Sequence, residues 1–248
     1  MTAPAIDVVI LTWNDGELLQ TAVDSVLGSE HFKGKIVVVD NGSDPPAHVD
    51  GAGCIDLVRN EANRGVAPGR NQGVDASTAD FVCFLDSDAR LEPYTLGMLI
   101  EALVADGSVG LAAPVFVDQV PEASAGRAPS ALRKIARGLN LRDTYAGVPH
   151  ASGAWWEVDF AIGACQLFRR AAFDAVGGLD ESIFYGPEDV DFCLRLRAAG
   201  WRVVQVAGAR VHHPPRRRFR GLFTRRGMAH AVAIGRHLWR HRRPTSRP

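Results

Sequence analysis

The sequence has few of the features that mark secreted or membrane-spanning proteins. Its 248 residues include four cysteines, and no two of them have the C-x-x-C spacing of zinc or redox sites. The first residues contain no basic region before an apolar core, and no apolar run reaches the ~18 residues that a membrane span needs. We therefore expect a cytoplasmic protein whose thiols are reduced and mostly buried.

Internal repeats are absent, and so are acidic side chains in the last part of the chain. Residues 210–248 contain 12 arginines, no lysine and no acid, although the formal net charge of the whole chain is zero. All 28 acidic residues therefore lie in residues 1–209, together with the remaining 16 of the 28 basic ones. The sequence predicts an acidic body with a basic C-terminal tail.

Apolar residues make up 46% of the chain and charged residues 23%, which is ordinary for a soluble globular enzyme. Runs rich in Val, Ile and Leu at residues 6–13, 35–40 and 81–86 alternate with helical patterns at residues 17–27 and 66–76. Continuous apolar strands between helices are typical of a mostly parallel sheet that is covered on both faces. The predicted class is therefore α/β.

Polar side chains follow the ends of the first four predicted strands. They are Thr12, Trp13, Asn14 and Asp15, then Asp40, Asn41 and Ser43, then Arg59 and Asn60, and finally Asp86, Ser87 and Asp88. Because the carboxyl ends of parallel strands meet at one edge of a sheet, these residues predict a single polar crevice. For residues 40–45, turn formation and helix capping explain the same residue types equally well.

Asp86 and Asp88 are one residue apart at the end of an apolar strand. Their side chains would project to the same side if the strand continued through them, and two close carboxylates repel unless a cation joins them. Mg²⁺ and Mn²⁺ bind carboxylate oxygens and often a substrate phosphate. The same spacing recurs at Asp189 and Asp191, so the position of the first pair is more informative than its spacing.

Seven motifs follow one another in a recognisable order. They are VVILTWN (8–14), VVVDNGSDP (37–45), NRGVAPGRNQGV (63–74), FLDSDA (84–89), GAC (163–165), VGGLDE (176–181) and PEDVDFCLRLRAAGW (187–201). This series resembles the inverting family 2 glycosyltransferases, whose catalytic domain has the GT-A fold. The resemblance implies a single GT-A domain over residues 1–215, with a Rossmann-like, mixed but mostly parallel sheet flanked by helices.

The resemblance also implies which residues bind a nucleotide-diphosphate sugar. The expected donor-binding residues are Thr12, Trp13, Asn14, Asp40, Arg70, Asp86 and Ser87. Asp40 would accept a hydrogen bond from the N–H of the base, and Arg70 would reach the base or the diphosphate. In the same motif as Arg70, a structural alternative is open: Gly69 and Gly73 would allow close helix packing, and Asn71 would hold a loop.

A divalent cation, Mg²⁺ or Mn²⁺, is the implied cofactor. Asp88 would bind the metal, with Asp86 beside it as a further ligand, a second-sphere residue or a ribose contact. His212 would complete the metal shell, and His213 is the alternative. The chemistry favours these residue types, because a divalent ion neutralises the charge that develops on a departing diphosphate.

Glu188 and Asp189 are the predicted catalytic pair. Inversion at an anomeric carbon requires a base that takes the proton of the acceptor hydroxyl, and the resemblance implies that Asp189 is this base. Acidic residues also stabilise the first turn of a helix, so a structural role is the alternative for Asp189. Asp191 and Arg195 have the i, i+4 spacing of an ion pair on the helix surface.

Two segments are predicted to contact partners other than the donor. Residues 118–155, rich in Pro, Gly, Ala and Ser, are the expected variable segment that faces the acceptor. Residues 216–248 are the expected basic helical extension, which either packs on the core or lies on an anionic membrane. Arg216, Arg217 and Arg218 would bind a phosphate of the donor or of the acceptor. No nucleic-acid-reading motif is present, and we expect no nucleic-acid partner.

The predicted activity is inverting, metal-dependent transfer of a sugar to a hydroxyl, most like that of rhamnosyl- or galactosyltransferases. The expected acceptor is a lipid-linked or cell-envelope glycan. A sugar-phosphate nucleotidyltransferase is an alternative, but it requires a glycine-rich basic loop after the first strand, and LTWNDGELL (11–19) has one glycine and no basic residue. A non-catalytic scaffold at a membrane surface is the second alternative.

Overall fold

The computed structural model describes residues 4–51, 53–118, 124–126, 154–184 and 186–214. The strands in this part of the chain are β1 (Ile6–Thr12), β2 (Ile36–Asp40), β3 (Ile55–Arg59), β4 (Phe81–Asp86), β5 (Arg90–Leu91), β6 (Val109–Phe116), β7 (Ala125–Gly126), β8 (Trp155–Glu157), β9 (Phe160–Ala161), β10 (Cys165–Arg169) and β11 (Arg202–His212). The helices are α1 (Glu17–Leu27), α2 (Val66–Ala76), α3 (Thr95–Ala105), α4 (Arg170–Ala175) and α5 (Glu188–Ala198).

One large sheet dominates the fold, with the strand order β3-β2-β1-β4-β10-β6-β11-β5, and β8 also pairs with β11. The four strands β1 to β4 run parallel, and so do β6 and β11. Strand β10 is antiparallel to both of its neighbours, β4 and β6. The sheet is therefore mixed but mostly parallel, as predicted, and β7 and β9 form a separate small ladder.

Hydrophobic side chains cover both faces of the sheet. Ile6, Val8 and Ile10 of β1 pack in one buried cluster with residues of α1 and α3, whereas Val9 packs in a second cluster with residues of α2 and α5. This alternation explains why the central strands have continuous apolar sequences: both of their faces are buried. Because β1, β2 and β4 run parallel, their carboxyl ends lie together at one edge of the sheet.

Two glycines allow α2 to pack closely against the sheet. A Cβ atom on Gly69 would lie 2.5 Å from a methyl carbon of Leu11, and one on Gly73 would lie 2.2 Å from a methyl carbon of Val9. Any larger side chain would push the helix away from β1. The structure therefore supports the alternative role of Gly69 and Gly73, which is to allow close packing of the helix.

Most of the predicted elements agree with the observed ones, and the last strand differs most. Residues 201–206 and 209–213 were expected to form two strand pieces, but they belong to one strand, β11. The strand stays continuous because a bulge between Gln205 and Arg210 absorbs extra residues against β6. Helix α3 begins at Thr95, two residues later than the pattern predicts.

Several predictions lie outside the described residues. They concern residues 119–123 and 127–153 of the predicted acceptor segment, the arginines at 216, 217 and 218, and the rest of the basic C-terminal extension. The proposed domain limits accordingly stay predictions. In the described ranges, no helix is both long enough and apolar enough to cross a membrane.

Candidate active site at the carboxyl edge of the sheet

The loops that follow β1 and β2 are joined by hydrogen bonds. The backbone N–H of Asn14 donates to Ser43 Oγ at 3.0 Å, and the N–H of Asp44 donates to Asn14 Oδ1 at 2.8 Å. Asn14 has a φ of 59°, a left-handed conformation that asparagine tolerates better than most residues. The hydroxyl of Thr12 is buried, and it has no hydrogen-bond partner in the described part of the chain. Two predicted donor-binding residues thus lie at the expected edge.

Asp40 is buried and its carboxylate holds the loop that follows β2. Its Oδ1 accepts the N–H of Ser43 and its Oδ2 accepts the N–H of Ala47, each at 2.9 Å, and Arg59 forms an ion pair with Oδ2. Burial acts to raise the pKa of Asp40, but these hydrogen bonds and the charge of Arg59 outweigh it, so the pKa is lowered. The geometry supports the turn-forming alternative for Asp40, and contact with a base stays a prediction.

The turn after β4 contacts the loop after β1 and brings two aspartates and a histidine together. Ser87 donates a hydrogen bond to the carboxylate of Asp15. One possible ligand atom each from Asp86, Asp88 and His213 lies within 4.8 Å of the others. His213 Nε2 is 3.5 Å from Asp88 Oδ1 and 3.9 Å from Asp86 Oδ2. Two carboxylates and an imidazole are an acceptable ligand set for Mn²⁺, and the residues therefore fit the predicted metal.

His212 does not occupy the position that the sequence predicts for it. Its Nε2 lies 2.5 Å from Glu92 Oε1, and its Nδ1 lies 3.2 Å from Asp118 Oδ1. Successive residues of a strand point to opposite sides, so at the end of β11 only one of the two histidines can face the aspartates. The structure places His213 there, which was the alternative residue.

Arg70 is buried and lies among protein groups. Its Nη2 donates to Asp86 Oδ1 at 2.6 Å and to the carbonyl of Gly163 at 2.7 Å, while Nη1 lies 3.8 Å from Glu188 Oε1. Burial acts to lower the pKa of Arg70, but the charges of Asp86, Glu188 and Asp189 outweigh it, so the pKa is raised and the guanidinium stays charged. These contacts differ from the predicted contact with the donor.

Glu188 and Asp189 begin helix α5, but their surroundings differ. Glu188 is buried, and burial together with the charge of Asp189 raises its pKa to about 7. Asp189 is partly exposed; its Oδ2 accepts the N–H of Gly163 at 2.9 Å and its Oδ1 accepts the N–H of Val190 at 2.7 Å. Burial raises the pKa of Asp189 more than these hydrogen bonds lower it. A raised pKa suits a general base, because it strengthens the affinity for a proton.

The remaining motif residues are structural. Asn71 donates to the carbonyl of Leu179 at 3.0 Å and accepts its N–H at 2.9 Å, which fixes the loop of the VGGLDE motif. Asp191 and Arg195 form the predicted ion pair at 2.7 Å, but Asp191 is buried, so the pair is not on the surface. Gly163 of the GAC motif contacts Arg70 through its carbonyl and Asp189 through its N–H. The sequence does not predict these contacts, because both partners are distant from Gly163 along the chain.

Comparisons with solved structures agree with this architecture. The structure of GalNAc-T7 with UDP, GalNAc and Mn²⁺ superposes with a TM-score of 0.69 at 16% identity, covering 96% of this chain and 48% of that one. The mannosyltransferase PcManGT from Pyrobaculum calidifontis, in complex with GDP-Man and Mn²⁺, gives 0.65 at 20% identity, covering 99% and 66%. At such identities the likeness concerns the fold alone, and it confirms the predicted GT-A fold.

Comparisons of sequence identify the family. Pre-mycofactocin glycosyltransferase of Mycobacterium tuberculosis is 34% identical over 227 residues, which are 89% of this chain and 45% of that protein. This chain therefore spans about half the length of that relative. An N-acetylglucosaminyl-diphospho-decaprenol L-rhamnosyltransferase of the same species is 27% identical over 241 residues, which are 84% of this chain and 75% of that protein. Residues 7–177 match the profile of glycosyl transferase family 2, and the chain belongs to this family.

Proposed function

We propose that the protein is an inverting, metal-dependent glycosyltransferase that moves a sugar from a nucleotide-diphosphate donor to an acceptor hydroxyl. The observation that carries this proposal is the arrangement of two groups around Arg70. Arg70 Nη2 donates to Asp86, which belongs to the cluster of Asp86, Asp88 and His213, and Arg70 Nη1 lies 3.8 Å from Oε1 of Glu188, the neighbour of Asp189. A possible metal site and a carboxylate base are thus neighbours, as sugar transfer from a diphosphate requires.

The three residues of the cluster would hold the cation. When bound there, Mn²⁺ or Mg²⁺ neutralises negative charge on the diphosphate as it leaves. GalNAc-T7 and PcManGT share the fold, and their structures contain UDP, GalNAc and Mn²⁺ in the first and GDP-Man and Mn²⁺ in the second. Nucleotide-diphosphate sugars are therefore the donor class that we propose for this chain.

Asp189 would act as the base in a single displacement. The acceptor oxygen forms a bond to the anomeric carbon while the bond from that carbon to the diphosphate oxygen breaks. The acceptor proton moves to the carboxylate of Asp189, and the electron pair leaves with the diphosphate. Attack opposite the leaving group inverts the configuration of the anomeric carbon.

For the acceptor we propose a lipid-linked or cell-envelope glycan. The rhamnosyltransferase relative is named for a diphospho-decaprenol acceptor, which supports an acceptor of this class. The 12 arginines of residues 210–248 would favour a location at the inner face of an anionic membrane.

Calorimetric titration tests the donor site first. UDP, dTDP and GDP are each titrated into the wild type, Asp88→Asn and Asp56→Asn, with and without Mn²⁺. We expect one nucleotide to bind tightly only with Mn²⁺ and to lose about tenfold or more in affinity in Asp88→Asn. Asp56→Asn is the matched control, since Asp56 on β3 forms an exposed ion pair with Lys35, the residue before β2. If no nucleotide binds under any condition, the proposed function is wrong.

The base is tested on the donor of the nucleotide so identified, with water or a glycan as acceptor. We expect Asp189→Asn to keep the nucleotide affinity of the wild type and to lose about 100-fold or more in kcat. A variant with normal kcat would exclude Asp189 as the base. The configuration of the product, read by NMR, decides between inversion and retention.

A further inference from the structure

We propose that Gly163 and Arg70 together position the base Asp189 relative to Asp86. Their contacts would fix the distance between the residue that binds the donor's metal and the base that takes the acceptor's proton. This inference rests on the proposed function, because it concerns the same two acidic residues. It assigns a role to the GAC motif and changes the role that the sequence predicts for Arg70, from donor contact to positioning.

The first step is that the backbone of residues 163–164 contacts both sides of the site. The N–H of Gly163 donates to Asp189 Oδ2 at 2.9 Å. One residue later, the carbonyl of Ala164 accepts the N–H of Asp86 at 2.9 Å. The distance between the metal-binding edge and the base is therefore set by a single turn of backbone.

The second step is that Arg70 locks this turn in place. One nitrogen, Nη2, donates both to Asp86 Oδ1 at 2.6 Å and to the carbonyl of Gly163 at 2.7 Å. The guanidinium carbon lies 5.2 Å from the centre of the Phe84 ring. With 4% of its surface exposed, Arg70 has little space in which to move.

The third step is that only glycine fits at position 163. A Cβ atom there would lie 2.5 Å from Arg70 Nη1 and 3.3 Å from the guanidinium carbon. An arginine tip can usually shift away at little cost, but this one is held by two short hydrogen bonds. An alanine at 163 would therefore displace the guanidinium, the turn or both.

These contacts predict an effect on turnover and not on donor affinity. The contacts described for Arg70 are all with protein groups, so we expect its replacement to leave the affinity for the nucleotide in place. A displaced turn changes the direction of Asp189 Oδ2, and a misplacement of about 1 Å can reduce a reaction rate by about 100-fold. If Arg70 instead contacted the donor, its replacement would mainly weaken nucleotide binding.

The test compares Arg70→Lys, Gly163→Ala and the double variant with two controls. Arg170→Lys and Gly110→Ala are matched controls: Arg170 is held by carbonyls of Ala79 and Val74, and Gly110 is crowded by Trp201. For each protein we measure Tm, the Mn²⁺-dependent affinity for the nucleotide that the wild type binds, and kcat and KM for its sugar donor.

We expect both single variants to lose about 100-fold in kcat while nucleotide affinity stays within about threefold. The controls should keep wild-type kcat. Lysine lacks the Nη1 branch that the new methyl would meet, so the double variant should be no slower than Arg70→Lys alone, a non-additive result typical of residues in contact.

Two outcomes would overturn the inference. One is wild-type kcat in Arg70→Lys or Gly163→Ala, and the other is a clear loss of nucleotide affinity in Arg70→Lys, which would indicate that Arg70 contacts the donor. If Gly163→Ala does not fold, the kcat and affinity of Arg70→Lys still decide. Failure of the proposed function is distinguishable, because the wild type would then bind no nucleotide; if Asp189 is not the base, Asp189→Asn would keep its kcat. If Asp189→Asn loses kcat but Arg70→Lys and Gly163→Ala do not, the positioning role is wrong and the proposed function stands.

Discussion

Glu188 and Asp189 show at the residue scale how neighbours in sequence acquire different properties. Glu188 is buried against Arg70, and its Oε2 has no hydrogen-bond partner within the described ranges. Asp189, one residue later, is partly exposed and accepts two backbone hydrogen bonds. Burial and the charge of Asp189 raise the pKa of Glu188 to about 7, so this carboxyl keeps its proton to a higher pH than an exposed one does.

The raised pKa of Glu188 predicts that stability depends on pH. A carboxyl whose pKa is about 7 in the folded protein, against 4.5 ordinarily, holds its proton more tightly when folded. The free energy of unfolding should therefore fall as the pH rises from 4.5 to 7. Between pH 5 and 8 we expect the wild type to lose roughly 2 kcal/mol relative to Glu188→Gln, as measured by urea denaturation. If the free energy of unfolding depends on pH in the same way in the wild type and in Glu188→Gln, this prediction is wrong.

The adjacent histidines predict a second contrast between neighbouring residues. His213 lies beside Asp86 and Asp88, whereas the ring of His212 faces Glu92 and Asp118. We expect His213→Ala to weaken Mn²⁺-dependent nucleotide binding by about tenfold and His212→Ala to change it by less than about threefold. Calorimetry on both variants measures this, and the opposite ranking would support the residue that the sequence favoured.

Asp7 connects three secondary structure elements. Its Oδ1 accepts the N–H of Lys35 before β2, and its Oδ2 accepts the N–H groups of Thr78 and Ala79 before β4, all between 2.8 and 2.9 Å. Burial acts to raise the pKa of Asp7, but the three hydrogen bonds outweigh it, so the pKa is lowered. A single carboxylate thus ties β1 to the starts of both neighbouring strands.

Replacement of Asp7 should therefore destabilise the sheet. We expect Asp7→Asn to lower the free energy of unfolding by about 2 kcal/mol at pH 7, because an amide cannot accept all three hydrogen bonds as a carboxylate does. Since the pKa of Asp7 is lowered in the folded protein, its contribution is fully present above its usual pKa of 3.8 and is lost as the pH falls through the lowered pKa of the folded protein. Urea denaturation at pH 7 and pH 3 measures this, and a destabilisation as large at pH 3 as at pH 7 would contradict it.

Helices and strands were predicted well where residues close in sequence determine them. Helices α1 and α2 begin and end at the predicted residues, because their apolar spacing and flanking glycines are local signals. Strand β11 was predicted as two pieces, since its bulge depends on pairing with β6. The Ala-Gly-Ala sequence at 207–209, taken by itself, predicts an interruption of the strand.

The distribution of charge is a property of the whole molecule. The acidic residues all precede residue 210, and the 12 arginines that follow are expected to meet an anionic partner. We predict that the full chain binds vesicles containing phosphatidylglycerol and that binding weakens as salt rises. Changing Arg216, Arg217 and Arg218 to glutamine should reduce vesicle binding at least about tenfold, because each arginine contributes about 1 kcal/mol near such a surface.

Sedimentation with vesicles measures this, with neutral phosphatidylcholine vesicles as the control. Equal binding of the triple variant and the wild type would contradict the prediction. If the triple variant instead loses nucleotide affinity, these arginines bind the donor diphosphate, which was the other possibility that the sequence left open.

The sequence by itself determined the α/β class, the family and the edge of the sheet where the polar residues meet. These follow from periodicity and from motifs in a fixed order, which are readable along the chain. Only the tertiary structure decided that His213 and not His212 faces Asp88, and that Arg70 contacts Asp86 and Gly163. The physical reason is that such contacts depend on side-chain direction and on burial between residues distant in sequence, which no local pattern specifies.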